Sequence, residues 1–120
     1  MIKTLQRKFT VTAMIAVTVL LVMSLYSLLR SVVQLSHGME EHILRYAGLA
    51  EYLNGCGFAV VGHDHLGHGE SASSAEELGF FRAERPEDAP IEDLRAEFDW
   101  IRAAFPGLPV FLLGHSMGSF

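Results

Sequence analysis

Hydrophobic and polar positions change period along this chain, and the changes divide it. From Phe9 to Leu29 run 21 residues without a charge, FTVTAMIAVTVLLVMSLYSLL. As a helix rising about 1.5 Å per residue this run spans roughly 31 Å, the thickness of one hydrocarbon core. Thr10, Thr12, Thr18, Ser24 and Ser27 are compatible with it, because a helical hydroxyl bonds back to the carbonyl a turn earlier. Beyond Arg30 the apolar runs shorten. Residues 32–36, VVQLS, are β-branched and apolar and end at His37-Gly38, which predicts a strand. In MEEHILRYAGLAEYLNGCG, Ile43, Ala47, Ala50 and Leu53 recur at helical spacing. Glu40 and Glu41 suit the N-terminus of that helix and Gly55 its C-cap. Phe58 to Val61 or Gly62 reads as a second buried strand. Residues 65–90, rich in Gly, Ser and acid, read as loop with a short helical turn over 75–78. Ile91, Leu94, Phe98, Ile101 and Phe105 step by three and four, an amphipathic helix stopped by Pro106-Gly107. Residues 110–113 are a third apolar strand.

The order β-α-β-α-β predicts an α/β fold: three parallel strands with helices on both faces and right-handed crossovers, preceded by one transmembrane helix. The expected division is a membrane segment, 1–30, with its helix over about 9–29, and a partial α/β domain, 31–120. The sequence shows no internal repeat.

Charge sharpens the division. Residues 1–30 carry Lys3, Arg7, Lys8 and Arg30 and no acid, a sum of +4; residues 31–120 sum to −9. An acidic domain argues against nucleic acid as a partner. Three basic residues precede the apolar run and one follows, so the N-terminus is expected on the cytoplasmic side of a single-pass span. A signal peptide is the main rival, but its apolar region is usually shorter and Val22-Met23-Ser24 is a poor cleavage site. Cys56 is the only cysteine, which excludes an internal disulfide and suits core filler.

Candidate chemistry lies in the three turns that follow the strands, where an open parallel sheet binds its ligands. After the third strand comes Gly114-His115-Ser116-Met117-Gly118, the pattern G-x-S-x-G of a nucleophilic serine on a strand-to-helix turn. Close neighbours would clash two residues to either side, so Gly114 and Gly118 are what the geometry demands. The backbone N–H of Met117 suits a developing oxyanion. After the first strand, His37-Gly38 supplies a tight turn and the N–H of Met39 a second oxyanion donor. After the second strand, His63, Asp64, His65 and His68 lie within six residues. They suit a metal site less well than bracing of the turn, with Asp64 capping backbone amides beside Gly67 and Gly69, because nothing else in the chain supplies a spaced ligand set. A third and weaker reading makes His63 or His65 a catalytic base. No metal and no cofactor are expected.

These residues carry a resemblance. VVQLSHGMEEHILRYAGLAEYLNGCGFAVVGHDHLGHGES followed by FLLGHSMGSF resembles the α/β-hydrolase superfamily over residues 32–120. The closest branch is that of monoacylglycerol lipases and lysophospholipases, with a serine aminopeptidase (S33) type domain. The resemblance implies Ser116 as nucleophile, the amides of Met39 and Met117 as oxyanion hole, and a structural role for Asp64, Gly67, His68 and Gly69. It implies a lipid or small carboxylic ester as substrate and a sheet in the order second-first-third. It also implies that the acid and histidine of the triad, the later strands and the lid lie beyond residue 120, so that this chain by itself has negligible esterase activity. Residues 1–30 resemble the first membrane helix of bacterial sensor histidine kinases. The change at Arg30/Ser31 therefore keeps a second expectation open: a non-catalytic, membrane-anchored fusion or truncated product, cytoplasmic if the leader is foreign to the protein. Complementation by a second chain is a third.

Overall fold

The computed structural model describes residues 1–80 and 84–119; residues 81–83 of the predicted loop, and Phe120, lie outside the described residues. Helix α1, Ile2–Leu28, is followed by strand β1, Ser31–Ser36, helix α2, Ala47–Gly55, and strand β2, Phe58–Gly62. Helix α3, Ala89–Ala104, and strand β3, Val110–Gly114, complete the order. Short 3-10 turns occupy 43–46, 69–71, 75–77 and 116–119.

The three strands are parallel in the order β2-β1-β3. Val33 stands opposite Val60 on one side and Phe111 on the other, and Ser36 opposite Gly114. Central β1 is buried at every position. Its Gln34 donates from Nε2 to the Leu94 carbonyl, 2.9 Å, and to Glu97 Oε2, 2.8 Å, which ties β1 to α3. Leu35 points the other way by strand alternation. There, Ile43 packs over Gly62 so closely that a Cβ on this glycine would meet Ile43 Cδ1 at 2.5 Å and Leu35 Cβ at 3.2 Å. Helix α3 and the segment entering α2 therefore cover opposite faces. Val32, Val33, Leu35, Ala89 and Ile101 form the core. The outer strands are less covered: Phe111, Leu112 and Leu113 of β3 are all exposed.

Helix α1 differs from its predicted limits. It begins at Ile2 because Lys3, Gln6, Arg7 and Lys8 are good helix formers that extend the apolar run without interruption. None of its residues is buried, and Thr10, Thr12 and Thr18 each donate to the carbonyl four residues back at 2.9 Å. It is long and apolar enough to cross a membrane. Only Leu29 and Arg30 separate it from β1. The junction is pinned by Arg30 N–H to the Gly57 carbonyl, 2.7 Å, and by Tyr26 Oη to the Pro106 carbonyl, 2.8 Å.

Both ends of the second helix also differ. Glu40 and Glu41 precede it in a turn and take no place in its first turn, because Glu41 is drawn to Tyr46 and His115. The Ile43 amide at its entry is capped instead by Asp64 Oδ1 at 2.7 Å. Gly55 lies inside the helix, and the left-handed residue after it is Gly57, φ 88°. The third helix starts two residues earlier than predicted, with Pro90 in its first turn, where a missing N–H costs nothing.

Candidate active site

All three strands deliver their following turns to one edge of the sheet. At the end of β3, Ser116 holds φ 53°, a left-handed conformation costly for a residue with a Cβ. Glycines on both sides permit it. A Cβ on Gly114 would overlap the carbonyl of Gly118, and one on Gly118 would overlap the carbonyls of Ser36 and His37. The His115 amide donates to the Ser36 carbonyl at 3.1 Å, and the Gly118 amide returns to the His115 carbonyl at 2.9 Å. The turn is thus a single tight loop laid against the end of β1.

The turn after β1 meets it. A Cβ on Gly38 would lie 3.2 Å from Ser116 Cβ and 3.2 Å from His115 Nδ1. Glu41 clasps the two turns together: its Oε1 is 2.7 Å from His115 Nδ1, and its Oε2 accepts from Tyr46 Oη at 2.8 Å. The Tyr46 hydrogen bond, assisted by His115, holds the Glu41 carboxyl below its ordinary value. Met39 is exposed beside Gly38. Met117 lies in the 3-10 turn that begins at Ser116, over a cavity of about 360 Å³ shared with Ser36, His65, Pro90, Leu94 and Gly118.

The turn after β2 is braced by its own residues. His37 is fully buried, with Nδ1 2.8 Å from the Gly38 carbonyl and Nε2 accepting the His65 amide at 2.9 Å. One nitrogen donates and the other accepts, so this imidazole is neutral. Burial lowers its pKa accordingly, and Asp64 Oδ1, 4.0 Å away, is beyond hydrogen-bond reach. Asp64 caps two amides, Ile43 through Oδ1 and Glu70 through Oδ2 at 2.9 Å. Two bonded amides lower its pKa against the opposing effect of burial. Gly67 and Gly69 take positive φ, 72° and 49°, and side chains there would run into the Phe80 carbonyl and the Asp64 carboxylate.

The histidines of this turn go separate ways. His63 Nδ1 stands 3.1 Å from Glu97 Oε1, and that carboxylate raises its pKa. His65 Nε2 is 3.2 Å from Ser36 Oγ; burial, with repulsion from His37, pushes its pKa down to about 4. His68 Nδ1 is 3.0 Å from the Leu66 carbonyl. Among the described residues no group of three or more His, Cys, Asp or Glu is arranged to hold a metal ion. The clasp by Glu41 and the capping of Ile43 by Asp64 escaped the sequence reading, since both join residues distant in the chain.

A 2-1-3 parallel sheet with a strand-serine turn beside a His-Gly turn is the arrangement of an α/β-hydrolase. The family model described as serine aminopeptidase, S33, matches residues 28–120, and the chain belongs to that family. It is 39% identical over 89 residues to the monoglyceride lipase of Homo sapiens, covering 74% of this chain and 27% of that one. It is 39% identical over 90 residues to a monoglyceride lipase homolog of Monkeypox virus, covering 75% and 30%. Among solved structures, a thermostable carboxyl esterase of Bacillus coagulans superposes with a TM-score of 0.70 at 35% identity, covering 76% of this chain and 29% of the esterase. The chain thus spans less than a third of the length of these relatives.

Proposed function

We propose that Ser116 is the nucleophile of a carboxylic-ester hydrolase acting on lipid or small esters. The amides of Met39 and Met117 would receive the oxyanion. The observation that carries this reading is the left-handed Ser116, held between two glycines that cannot bear side chains and against Gly38 of the neighbouring turn. Such a turn lifts the hydroxyl clear of the strand and aims the following amides at a carbonyl it attacks. The monoglyceride lipase relatives support a glyceryl monoester as the substrate to try first.

The base is a separate matter. Five imidazoles of this edge have partners other than the serine hydroxyl: His37, His63, His65, His68 and His115. These five are thus engaged elsewhere, no contact joins His42 to Ser116 among the described residues, and the base we propose for Ser116 is an imidazole beyond these six. A graft of residues 31–119 into the corresponding segment of the human monoglyceride lipase supplies one. The graft is expected to react with a fluorophosphonate probe and to hydrolyse monoacylglycerol, and Ser116→Ala to abolish both. A folded graft that is inert, or one still labelled after Ser116→Ala, defeats the proposal. The 120-residue chain by itself is expected to react at least about 10⁴-fold more slowly than the graft, since a serine without its base loses most of its rate.

We further propose that α1 is a membrane span, as its uncovered apolar surface and basic N-terminal flank support. A second reading, a non-catalytic fusion or truncated product whose leader is foreign to the family domain, is favoured by one observation: the family match starts at residue 28, where α1 ends, so the family does not account for the helix. Resequencing the locus across codon 31 separates the two. An intact junction supports a native anchor, and a break there removes it.

A further inference from the structure

We infer that the sheet stands on the bilayer by its amino edge, with the turns 54–57 and 105–109 seated in the lipid headgroups and the Ser116 edge held away from the membrane. The inference rests on the reading of α1 as a span, and it adds how the domain is posed upon it.

The junction fixes the pose. Two residues link α1 to β1, and the Tyr26 hydroxyl and the Arg30 amide bind the carbonyls of Pro106 and Gly57. These carbonyls belong to the turns that enter β3 and β2. The Val32 amide closes the same edge on the Pro109 carbonyl at 2.8 Å. All three amino-terminal strand ends are therefore gathered around the end of the helix. The carboxyl edge lies about 17 Å further on, five residue steps along β1.

The composition of the two edges fits this pose. The turns Asn54-Gly55-Cys56-Gly57 and Phe105-Pro106-Gly107-Leu108-Pro109 contain no charged side chain, in a region that sums to −9. Cys56, Pro106 and Pro109 are exposed, and Phe105 and Leu108 are half-buried. At the opposite edge stand Glu40, Glu41, Asp64 and Glu70. Partly apolar turns without carboxylates, beside the basic Arg30, cost little to place among headgroups, whereas carboxylates there would lose hydration. Tyr26, near the end of the span, is a residue type that settles at the membrane–water boundary.

Cys56, expected as core filler, is instead exposed in the turn that ends α2, and its thiol provides a probe in the native chain. The full chain is reconstituted in phosphatidylcholine vesicles containing a headgroup spin-labelled lipid, with a fluorophore on Cys56. A second preparation carries the fluorophore on Glu40→Cys in a Cys56→Ser background, at an exposed position of the far edge. Quenching of the Cys56 label is expected to exceed that of the residue 40 label at least about twofold, given the ~17 Å between edges. Equal quenching, stronger quenching at residue 40, or none at either site overturns the pose. Carbonate extraction of the same vesicles tests the span independently. A chain that stays in the pellet with the wrong quenching order loses only the pose, whereas one released to the supernatant loses the span and the pose together.

Discussion

At the scale of single residues, two glycines, one buried and one exposed, make opposite predictions. Gly118→Ala drives a methyl group into the Ser36 and His37 carbonyls. It should destabilise the domain by about 2–4 kcal/mol, as overpacking against fixed backbone does. Gly48 in α2 has no atom within 4 Å of its Cβ position, so Gly48→Ala should stabilise by about 0.5–1 kcal/mol by restricting the unfolded chain. Urea midpoints of the full chain in detergent micelles check both; equal shifts in one direction would refute the crowding argument. The elbow glycines were legible in the sequence because a five-residue pattern holds all the geometry it needs. The Glu41 clasp was not. His115 meets the Glu41 carboxylate across 74 residues of chain, beside Tyr46 five residues on, and no periodicity records such a meeting.

At the scale of elements, the histidines of the turns that follow β1 and β2 set a pH dependence. An imidazole ordinarily titrates near 6.5, but buried His65 takes a proton in the fold only near 4. Between those values the unfolded chain binds more protons, so stability falls as pH drops from about 6.5 to about 4 and levels off below. The loss is on the order of 3 kcal/mol, at 1.36 kcal/mol per pK unit. His37, also lowered by burial, adds in the same direction. His63 opposes them: Glu97 raises its pKa, and that contribution is full below 6.5 and lost as pH rises through its folded value. His65→Gln should flatten the urea-midpoint curve between pH 6.5 and 4, and an unchanged slope would refute the assignment. The strands were legible to within a residue because their apolar runs are bounded by glycine, proline and polar turns. The start of the second helix was misplaced because a 3-10 turn, Ile43–Tyr46, precedes it, held at the Ile43 amide by Asp64 from another turn, while Glu41 is engaged by Tyr46 and His115.

At the scale of the whole molecule, an acidic α/β domain follows a basic-flanked apolar helix. Val19→Arg near the middle of α1 should cost about 2.5–3.5 kcal/mol of insertion and lower the carbonate-resistant fraction roughly 100-fold in partition. Unchanged extraction would show that the helix does not span. The sheet order followed from the sequence through the family resemblance. The exposure of Phe111, Leu112 and Leu113 did not, because an apolar strand reads the same whether or not its faces are covered.

The two-residue joint between α1 and β1 has a mechanical consequence. A flexible tether would let the domain wander independently of its anchor, but this junction, pinned at Pro106 and Gly57, behaves as a stiff lever arm. Transmembrane helices change tilt as bilayer thickness changes. A rotation of about 10° about the joint displaces a point ~17 Å along β1 by roughly 3 Å, comparable to the reach of a hydrogen bond. In the proposed membrane pose, the elbow of Ser116 is coupled by leverage to the thickness of the bilayer that α1 crosses.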